Sequence, residues 1–286
     1  MMKSSVIRCK HGHTREEHPS CFRNEVSNAI DTNCKIGVFD IETLPMDVIT
    51  WGMRDQYINN DQVLNDICFL AWSLKPLNEA TFYSDILTPE EAVNRDARRI
   101  TLSCWNILST YDIIIGHNLS GFDKKMVNTF FLEYGLPPLK YIEIDTLVVA
   151  RNNFRFSSNK LDAINSALGI KNKMEHGGIE VWKGCRVGDK AALSLMNSYN
   201  IKDVEITEDL YFKVRPYVRN INLALYNEIE EQQCPICGCK DLKNEGTYKT
   251  SAGVWDSLRC LNCGALSRGK FNHLTTEKKK SLLINS

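Results

Sequence analysis

The sequence predicts an α/β protein, with a mixed central sheet flanked by helices and a small cysteine-rich module near the C-terminal end. Short apolar runs rich in β-branched residues come first, and stretches with helical spacing are interleaved after them. Five of the eleven cysteines fall between residues 234 and 263, where they predict a separate metal-binding module. A chain of 286 residues has room for one good-sized domain and such an appendage.

Strands are predicted where apolar runs are bounded by glycine, proline or polar residues. In chain order they cover residues 35–41, 67–74, 80–84, 112–116 and 141–145. Helices are predicted over residues 89–108, 124–134, 146–151, 161–168 and 191–214. The first helix follows Thr88 and has Pro89 and two acids in its first turn, whereas Pro216 ends or kinks the last helix.

The formal net charge of zero is a sum over segments of opposite sign. Residues 35–233 carry 21 basic and 27 acidic side chains, a net charge of −6, whereas residues 234–286 carry nine and four, a net charge of +5. The first 34 residues have a net charge of +1. This asymmetry predicts an electrostatic partner for the basic end of the chain. No apolar run approaches the roughly 18 residues of a membrane span, so no membrane partner is expected.

Composition changes predict four segments, with a polar hinge over residues 228–233. They are a Cys/His-rich N-terminal segment (1–34), the main domain (35–233), the cysteine module (234–270) and a basic tail (271–286). The odd number of cysteines, their CxxC spacing and the lack of a secretory signal predict metal binding in a reducing, cytoplasmic compartment rather than disulfides.

Acidic residues stand out at three places in the main domain. Asp40 and Glu42 alternate with Ile41 at the end of the first predicted strand, so both carboxylates project from one face. Two buried like charges are unfavourable unless a cation neutralises them, although two solvated acids remain the alternative. Asp123 follows a glycine-flanked bend, where it can turn back toward the sheet, cap the next helix, or do both.

The third place is on the last predicted helix. Tyr199 and Asp203 lie four residues apart and share a helix face, either in a site or as a surface pair.

Together these segments read Phe39-Asp-Ile-Glu-Thr43, Gly116-His-Asn-x-x-x-Phe-Asp123 and Tyr199-x-x-x-Asp203. In this order they resemble the three motifs of the DEDD 3′→5′ exonucleases, in the variant with tyrosine in the third motif (DEDDy). The similarity is to the proofreading exonuclease domain of family B DNA polymerases and its free-standing relatives, over about residues 35–214.

The resemblance implies an RNase H-like fold and a two-metal mechanism with Mg²⁺ or Mn²⁺. Asp40 would touch both ions, Glu42, Asp123 and Asp203 would complete their binding, and Tyr199 would orient the attacking water. It also implies that Thr43 and Leu44 pack on the terminal nucleotide and that Asn118 lies near the substrate strand. Structural and catalytic roles both stay open for His117, and Phe122 is expected in the core.

The cysteine module contains two hooks, Cys234-Pro-Ile-Cys237-Gly and Cys260-Leu-Asn-Cys263-Gly, separated by 22 residues. Four thiolates in this spacing predict a structural Zn²⁺ in a zinc ribbon whose hairpin turns near residues 251–253, with paired redox thiols as the alternative. Cys239 is the spare cysteine. The basic and aromatic side chains of the ribbon suit single-stranded nucleic acid, although a solvated or protein-binding ribbon remains equally open.

A second Zn²⁺ site is a hypothesis for the N-terminal segment, with Cys9, His13, His18 and Cys21 as the four ligands. A leader with coincidental ligands is the alternative.

The leading functional hypothesis is a metal-dependent 3′→5′ exonuclease that releases nucleoside monophosphates from single-stranded or frayed DNA ends in replication or repair. It would act alone or as a subunit beside a separate DNA polymerase or replication protein, because no polymerase palm fits before Ser286. The alternatives are an exoribonuclease, an RNase H-like structure-specific endonuclease, and a non-catalytic adaptor that binds nucleic acid through the ribbon.

Overall fold

The structure, a computed structural model, describes residues 30, 32–53, 56–170 and 178–283. The chain forms two compact units, one of residues 35–211 and one of residues 1–34 together with 212–286. The division falls after Tyr211, and the predicted boundary at residue 234 lies within the second unit and stays a prediction. The hypothetical N-terminal zinc site (Cys9, His13, His18 and Cys21) lies outside the described residues.

The described part of the chain contains ten strands and eight α-helices. The strands are β1 (Ile36–Leu44), β2 (Asp47–Val48), β3 (Val63–Asn65), β4 (Cys68–Pro76), β5 (Tyr83–Ile86), β6 (Ile113–Gly116), β7 (Ile142–Asp145), β8 (Leu242–Thr250), β9 (Gly253–Cys260) and β10 (Leu266–Arg268). The helices are α1 (Pro89–Asn94), α2 (Arg98–Leu108), α3 (Asp123–Glu133), α4 (Thr146–Asn153), α5 (Leu161–Ala167), α6 (Ile179–Arg186), α7 (Lys190–Val214) and α8 (Thr276–Lys280).

A mixed five-stranded sheet organises the larger unit, in the order β5-β4-β1-β6-β7. β1 runs antiparallel to β4 and parallel to β6, while β4 pairs antiparallel with β5 and β6 pairs parallel with β7. Apolar side chains of the sheet pack against helices, as in the stacked rings of Phe69 on β4 and Phe130 on α3, whose centroids lie 5.0 Å apart. The predicted mixed sheet with flanking helices is confirmed.

β1 is longer than the predicted strand. It continues through Asp40 and Glu42 to Leu44, so both carboxylates lie within the strand rather than at its end. Its pairing with β6 involves only residues 36–38, because β6 stops at Gly116. The carboxylates therefore lie beyond the last β1–β6 pair, and a shift in the β1–β4 register follows directly after Glu42. Such irregularities re-aim side chains beside functional sites.

Gly116 allows the close approach of β6 to β1. A Cβ atom at this position would lie 2.9 Å from Cβ of Leu119 and 3.1 Å from the carbonyl oxygen of Phe39. A larger residue would push the loop that follows β6 away from the strand carrying Asp40.

The single helix predicted over residues 89–108 is two helices, α1 and α2. Arg95 separates them with a left-handed backbone (φ 53°), and its guanidinium donates hydrogen bonds to the carbonyl oxygens of Pro45 (2.8 Å) and Asp66 (2.6 Å). Since those partners lie far away in the chain, local spacing did not reveal the break. The predicted start at Thr88 is confirmed by a capping box with Glu91.

α7 is held on the sheet by a buried ion pair. Nζ of Lys75 on β4 lies 2.7 Å and 2.6 Å from the two carboxylate oxygens of Glu208, which also accepts the backbone N–H of Asn78 at 2.7 Å. Both charged side chains are almost wholly buried. Because α7 also carries Tyr199 and Asp203, the ion pair helps to hold the helix face with these two residues in position against β1.

The smaller unit contains a three-stranded antiparallel sheet in the order β10-β9-β8. Its central strand, β9, consists of buried and half-buried residues in near alternation, whereas β8 is exposed along almost its whole length. No helix in the described part of the chain is both long and apolar enough to cross a bilayer.

Candidate metal centres

Three carboxylates of the larger unit converge. Asp40 and Glu42 on β1 and Asp203 on α7 each place one carboxylate oxygen so that the three atoms lie within 4.8 Å of one another. All three residues are half-buried. A strand and a helix that are far apart in the sequence therefore form a cluster of hard oxygen donors, the ligand type that Mg²⁺ and Mn²⁺ prefer.

Asp123 lies beside this cluster. It is the first residue of α3, is only 3% exposed, and its Oδ1 accepts the backbone N–H of Ile41 at 3.1 Å. The capping position belongs to Phe122, whose side chain makes no capping bond, so the structure favours a carboxylate turned toward the sheet over an N-cap. The hydrogen bond ties Asp123 to the strand segment between Asp40 and Glu42.

The electrostatics of the cluster oppose full ionisation. Burial, Asp203 and Asp123 raise the pKa of Glu42 to about 8. Burial, with a contribution from Asp145, raises the pKa of Asp123 to about 7. Burial and the charges of Asp123, Glu42 and Asp203 also raise the pKa of Asp40 well above its ordinary value. A divalent cation would relieve this repulsion, so the donor set fits metal.

Two further side chains on α7 contact the carboxylates. The Tyr199 hydroxyl is hydrogen-bonded to Asp203, and burial, followed by the charge of Asp203, raises the pKa of this phenol so that it stays protonated. Nδ2 of Asn200 donates to Oδ2 of Asp40 at 2.7 Å.

Sequence reasoning missed Asn200, although a signal was available. The residue is fully buried and occupies the apolar stripe formed by Leu193, Met196 and Val204. A polar side chain in such a stripe needs a buried partner.

Asp145, at the end of β7, holds the loop that leads to Asp123. Its two carboxylate oxygens accept the backbone N–H groups of Asn118 and Ser120, each at 3.0 Å, and Oδ1 also accepts from Leu147 in the first turn of α4. Asn118 has a left-handed backbone there (φ 67°). This positioning role was not predicted, because it depends on β6 and β7 being neighbours.

His117 lies in the same loop and anchors it to neighbouring segments. Its Nδ1 lies 2.9 Å from Oγ1 of Thr146 and its Nε2 lies 3.0 Å from the carbonyl oxygen of Asn159. Burial lowers the pKa of the imidazole, which favours the neutral ring. Both ring nitrogens are engaged, which favours the structural role over the catalytic one.

The residues expected to contact substrate lie in different environments. Thr43 is half-buried next to Glu42, and Asn118 is exposed. Leu44 is 0% exposed and packs in the core, so its side chain has no surface to offer a nucleotide. Phe122, expected in the core, is instead 40% exposed.

A family model of the RNase H superfamily matches residues 69–215, just over half of the chain. The chain belongs to the RNase H superfamily. The matched region includes Asp123, Tyr199 and Asp203, whereas Asp40 and Glu42 on β1 precede it.

This RNase H-superfamily chain is also similar to parts of two polymerases. It is 32% identical over 140 residues to a DNA polymerase III of the PolC type from Ureaplasma parvum serovar 3, covering 46% of this chain and 9% of that protein. The chain thus spans less than a tenth of this relative. The structure of a family B DNA polymerase from the hyperthermophilic archaeon Pyrobaculum calidifontis matches with a TM-score of 0.46 and 19% identity, over 64% of this chain and 25% of the polymerase.

The smaller unit of this RNase H-superfamily protein contains a second candidate metal centre. Cys234, Cys237, Cys260 and Cys263 are buried, and their four sulfur atoms lie within 4.8 Å of one another. Two of the sulfur–sulfur distances are 3.6 Å and 3.5 Å. Tetrahedral coordination with Zn–S bonds of about 2.3 Å places sulfurs about 3.8 Å apart, so the donor set and spacing fit zinc.

Proposed function

We propose that this protein is a metal-dependent 3′→5′ exonuclease of the DEDDy type that releases nucleoside monophosphates from DNA 3′ ends. The observation that carries the proposal is the convergence of Asp40, Glu42 and Asp203 within 4.8 Å, with Asp123 hydrogen-bonded beside them. Membership of the RNase H superfamily supports a nuclease role.

The carboxylates would hold two Mg²⁺ or Mn²⁺ ions, with Asp40 shared between them. When bound, such ions stabilise the attacking and the leaving oxygen of an in-line displacement. Asn200 keeps the carboxylate of Asp40 in one orientation through its 2.7 Å hydrogen bond. Asp123 restrains the same strand through the N–H of Ile41.

Tyr199 would orient the water. Its hydroxyl is hydrogen-bonded to Asp203 and stays protonated because its pKa is raised. The water oxygen bonds to the terminal phosphorus, the bond from phosphorus to the 3′ oxygen of the preceding nucleotide breaks, and that oxygen takes a proton. The products are a nucleoside 5′-monophosphate and a strand shortened by one nucleotide.

DNA is the preferred substrate in this proposal, since the chain is similar to part of a DNA polymerase III of the PolC type. Thr43 and Asn118 remain the proposed substrate contacts of the main domain. A separate polymerase or replication protein is a proposed partner.

Zn²⁺ bound by Cys234, Cys237, Cys260 and Cys263 would stabilise a ribbon over residues 234–270, ahead of a basic tail. So small a module buries little apolar surface, and metal binding would supply much of its folding free energy.

The test is digestion of 5′-labelled DNA and RNA of identical sequence with Mg²⁺ added or omitted. We expect a ladder that shortens one nucleotide at a time from the 3′ end of DNA, only with the metal. RNA-only ladders would favour the exoribonuclease, internal cuts would favour an endonuclease, and binding without products would favour the adaptor.

Active-site variants separate this nuclease from a contaminant. Asp40→Ala and Asp203→Asn should abolish digestion, whereas Glu133→Gln, an exposed acid at the end of α3, should leave it unchanged. Digestion that survives Asp40→Ala would contradict the carboxylate assignment.

A further inference from the structure

One face of the three-stranded sheet in the smaller unit carries aromatic and basic side chains together. On β8 and β9, Tyr248 pairs directly with Trp255. On β10, Arg268 pairs with Ser257, two residues along β9 from Trp255. Residues directly opposite share a face, and so do alternate residues on one strand. Tyr248, Trp255 and Arg268 therefore lie on one face, which we call the Tyr248 face.

Arg268 is stacked on this face. Its guanidinium carbon lies 4.3 Å from the ring centroid of Trp255, within cation–π range. The indole is 8% exposed, whereas Arg268 is exposed and Tyr248 is 44% exposed. The surface thus presents a phenol ring and a guanidinium plane. Their backbones lie on the order of 10 Å apart, because neighbouring strands are about 4.8 Å apart.

Positive charge collects on the Tyr248 face as well. Lys243 pairs directly with Arg259, and Arg259 lies four residues from Trp255 on the same strand, so both basic residues share the face. The acid close to them is Glu245, which forms an ion pair with Arg259 at 2.9 Å.

The opposite face of the sheet differs in charge. It carries Asp256, which is paired with His273 at 3.1 Å, and Lys249. The Tyr248 face is therefore basic and aromatic, whereas the opposite face carries both acidic and basic side chains.

This combination matches single-stranded nucleic acid. Unpaired bases stack on aromatic rings and on arginine guanidinium planes, while lysine and arginine neutralise the phosphates. A duplex keeps its bases stacked on one another and cannot offer them to Tyr248 and Arg268. We infer that the Tyr248 face binds single-stranded nucleic acid, as a second binding site whose existence does not depend on the carboxylate centre.

Binding is measured on the full chain with zinc present and the Asp203→Asn substitution, which prevents digestion. Fluorescence anisotropy follows a labelled oligothymidylate, and a labelled duplex serves as the comparison. Tyr248→Ala should weaken single-strand binding at least about fivefold, since stacking contributes roughly 1–3 kcal/mol per base and 1.4 kcal/mol is tenfold. Lys249→Ala is the matched control, one residue along β8 and on the opposite face.

Arg268 separates stacking from charge. Arg268→Lys keeps the charge but loses the plane, so we expect weaker binding with an unchanged salt dependence. Arg268→Ala should also lower the slope of log affinity against log salt by about 0.7, the value for one phosphate contact on a single strand. The zinc content of every variant shows that the ribbon is intact.

Equal losses in Tyr248→Ala and Lys249→Ala would overturn the inference, because binding would then not depend on the face of the sheet that carries the residue. Unchanged affinity in the Tyr248 and Arg268 variants would also overturn it and favour a protein partner. A duplex bound as tightly as the single strand would overturn it too, because contacts to phosphates rather than stacking of unpaired bases would then explain binding. Failure of the nuclease proposal looks different: the unsubstituted protein would give no digestion products, while the binding differences would persist.

Discussion

Nδ2 of Asn200 on α7 donates a 2.7 Å hydrogen bond to Oδ2 of Asp40 on β1, joining residues 160 positions apart in the chain. Asn200→Ala removes this restraint and a contact that lowers the pKa of Asp40. We expect about 10- to 100-fold weaker metal affinity or activity, the range seen in other proteins when a residue that orients a metal ligand is replaced. The acidic limb of the pH–rate profile should move to higher pH.

Asn197→Ala is the matched control, since Asn197 lies one turn earlier on the same helix. Equal effects of the two variants would show that general damage to α7, rather than the orientation of Asp40, is responsible.

Tyr199→Phe removes the hydroxyl that is hydrogen-bonded to Asp203. We expect kcat to fall roughly 100-fold, with little change in metal affinity. This is the lower end of the range for side chains that act in general acid–base catalysis. Single-turnover digestion measures the effect, and Tyr83→Phe, at an exposed position on β5, is the control. A fully active Tyr199→Phe protein would remove the tyrosine from the mechanism.

The metal-free protein should lose stability as pH rises from about 4.5 to about 8. The ordinary pKa of Glu42 is 4.5 and its folded pKa is about 8, so within this window the unfolded chain releases a proton that the folded protein retains. Asp123, with a folded pKa of about 7, acts in the same direction. Thermal unfolding is measured across this range with Mg²⁺ omitted or added. The increase in unfolding temperature caused by the metal should be largest at the alkaline end.

Glu42→Gln provides the control for that prediction, because it removes the titrating group. Its unfolding temperature should vary less with pH. A flat profile in the unsubstituted protein, or equal metal stabilisation at both ends of the range, would contradict the raised pKa values.

Cys237→Ser should release one zinc per chain and lower the stability of the smaller unit, because it removes one of four converging thiols. Cys239→Ser should retain zinc, since Cys239 is not a member of that group. Metal analysis of purified protein gives the stoichiometry. If Cys239→Ser lost zinc while Cys237→Ser retained it, a different set of zinc ligands would be required.

Glu208→Ala leaves Lys75 buried without its carboxylate and should destabilise the protein by about 3 kcal/mol, the lower end of the range for breaking a buried ion pair. Urea unfolding measures the loss, and activity should also fall because α7 is less firmly held. Glu180→Ala breaks the exposed ion pair with Lys183 and should cost less than about 1 kcal/mol. Similar losses in both variants would contradict the anchoring role.

Much of the fold could be predicted because its signals are local. Three of these signals depend only on neighbouring residues: the apolar run before Asp40, the helix start at Thr88, and the long stretch of helical spacing that predicted α7. The break at Arg95 could not be predicted this way, since it is fixed by carbonyl groups 29 and 50 residues away.

The candidate site divides in the same way. The motif acids were found from their pattern, and Asp40, Glu42 and Asp203 do converge. Asn200 was missed because a single asparagine in a helix has no motif. Motif similarity does not indicate how deeply a strand residue is buried, and Leu44, a predicted substrate contact, is fully buried.

Asp145 has a consequence for mutational scanning. Its carboxylate clamps the loop before Asp123 and contributes to raising the pKa of that acid. Asp145→Ala would release Asn118 and Ser120 and displace Asp123 without removing any proposed ligand. An alanine scan scored by activity would therefore count five essential acids where four are proposed as metal ligands, and metal affinity measured beside activity would distinguish Asp145 from the proposed ligands.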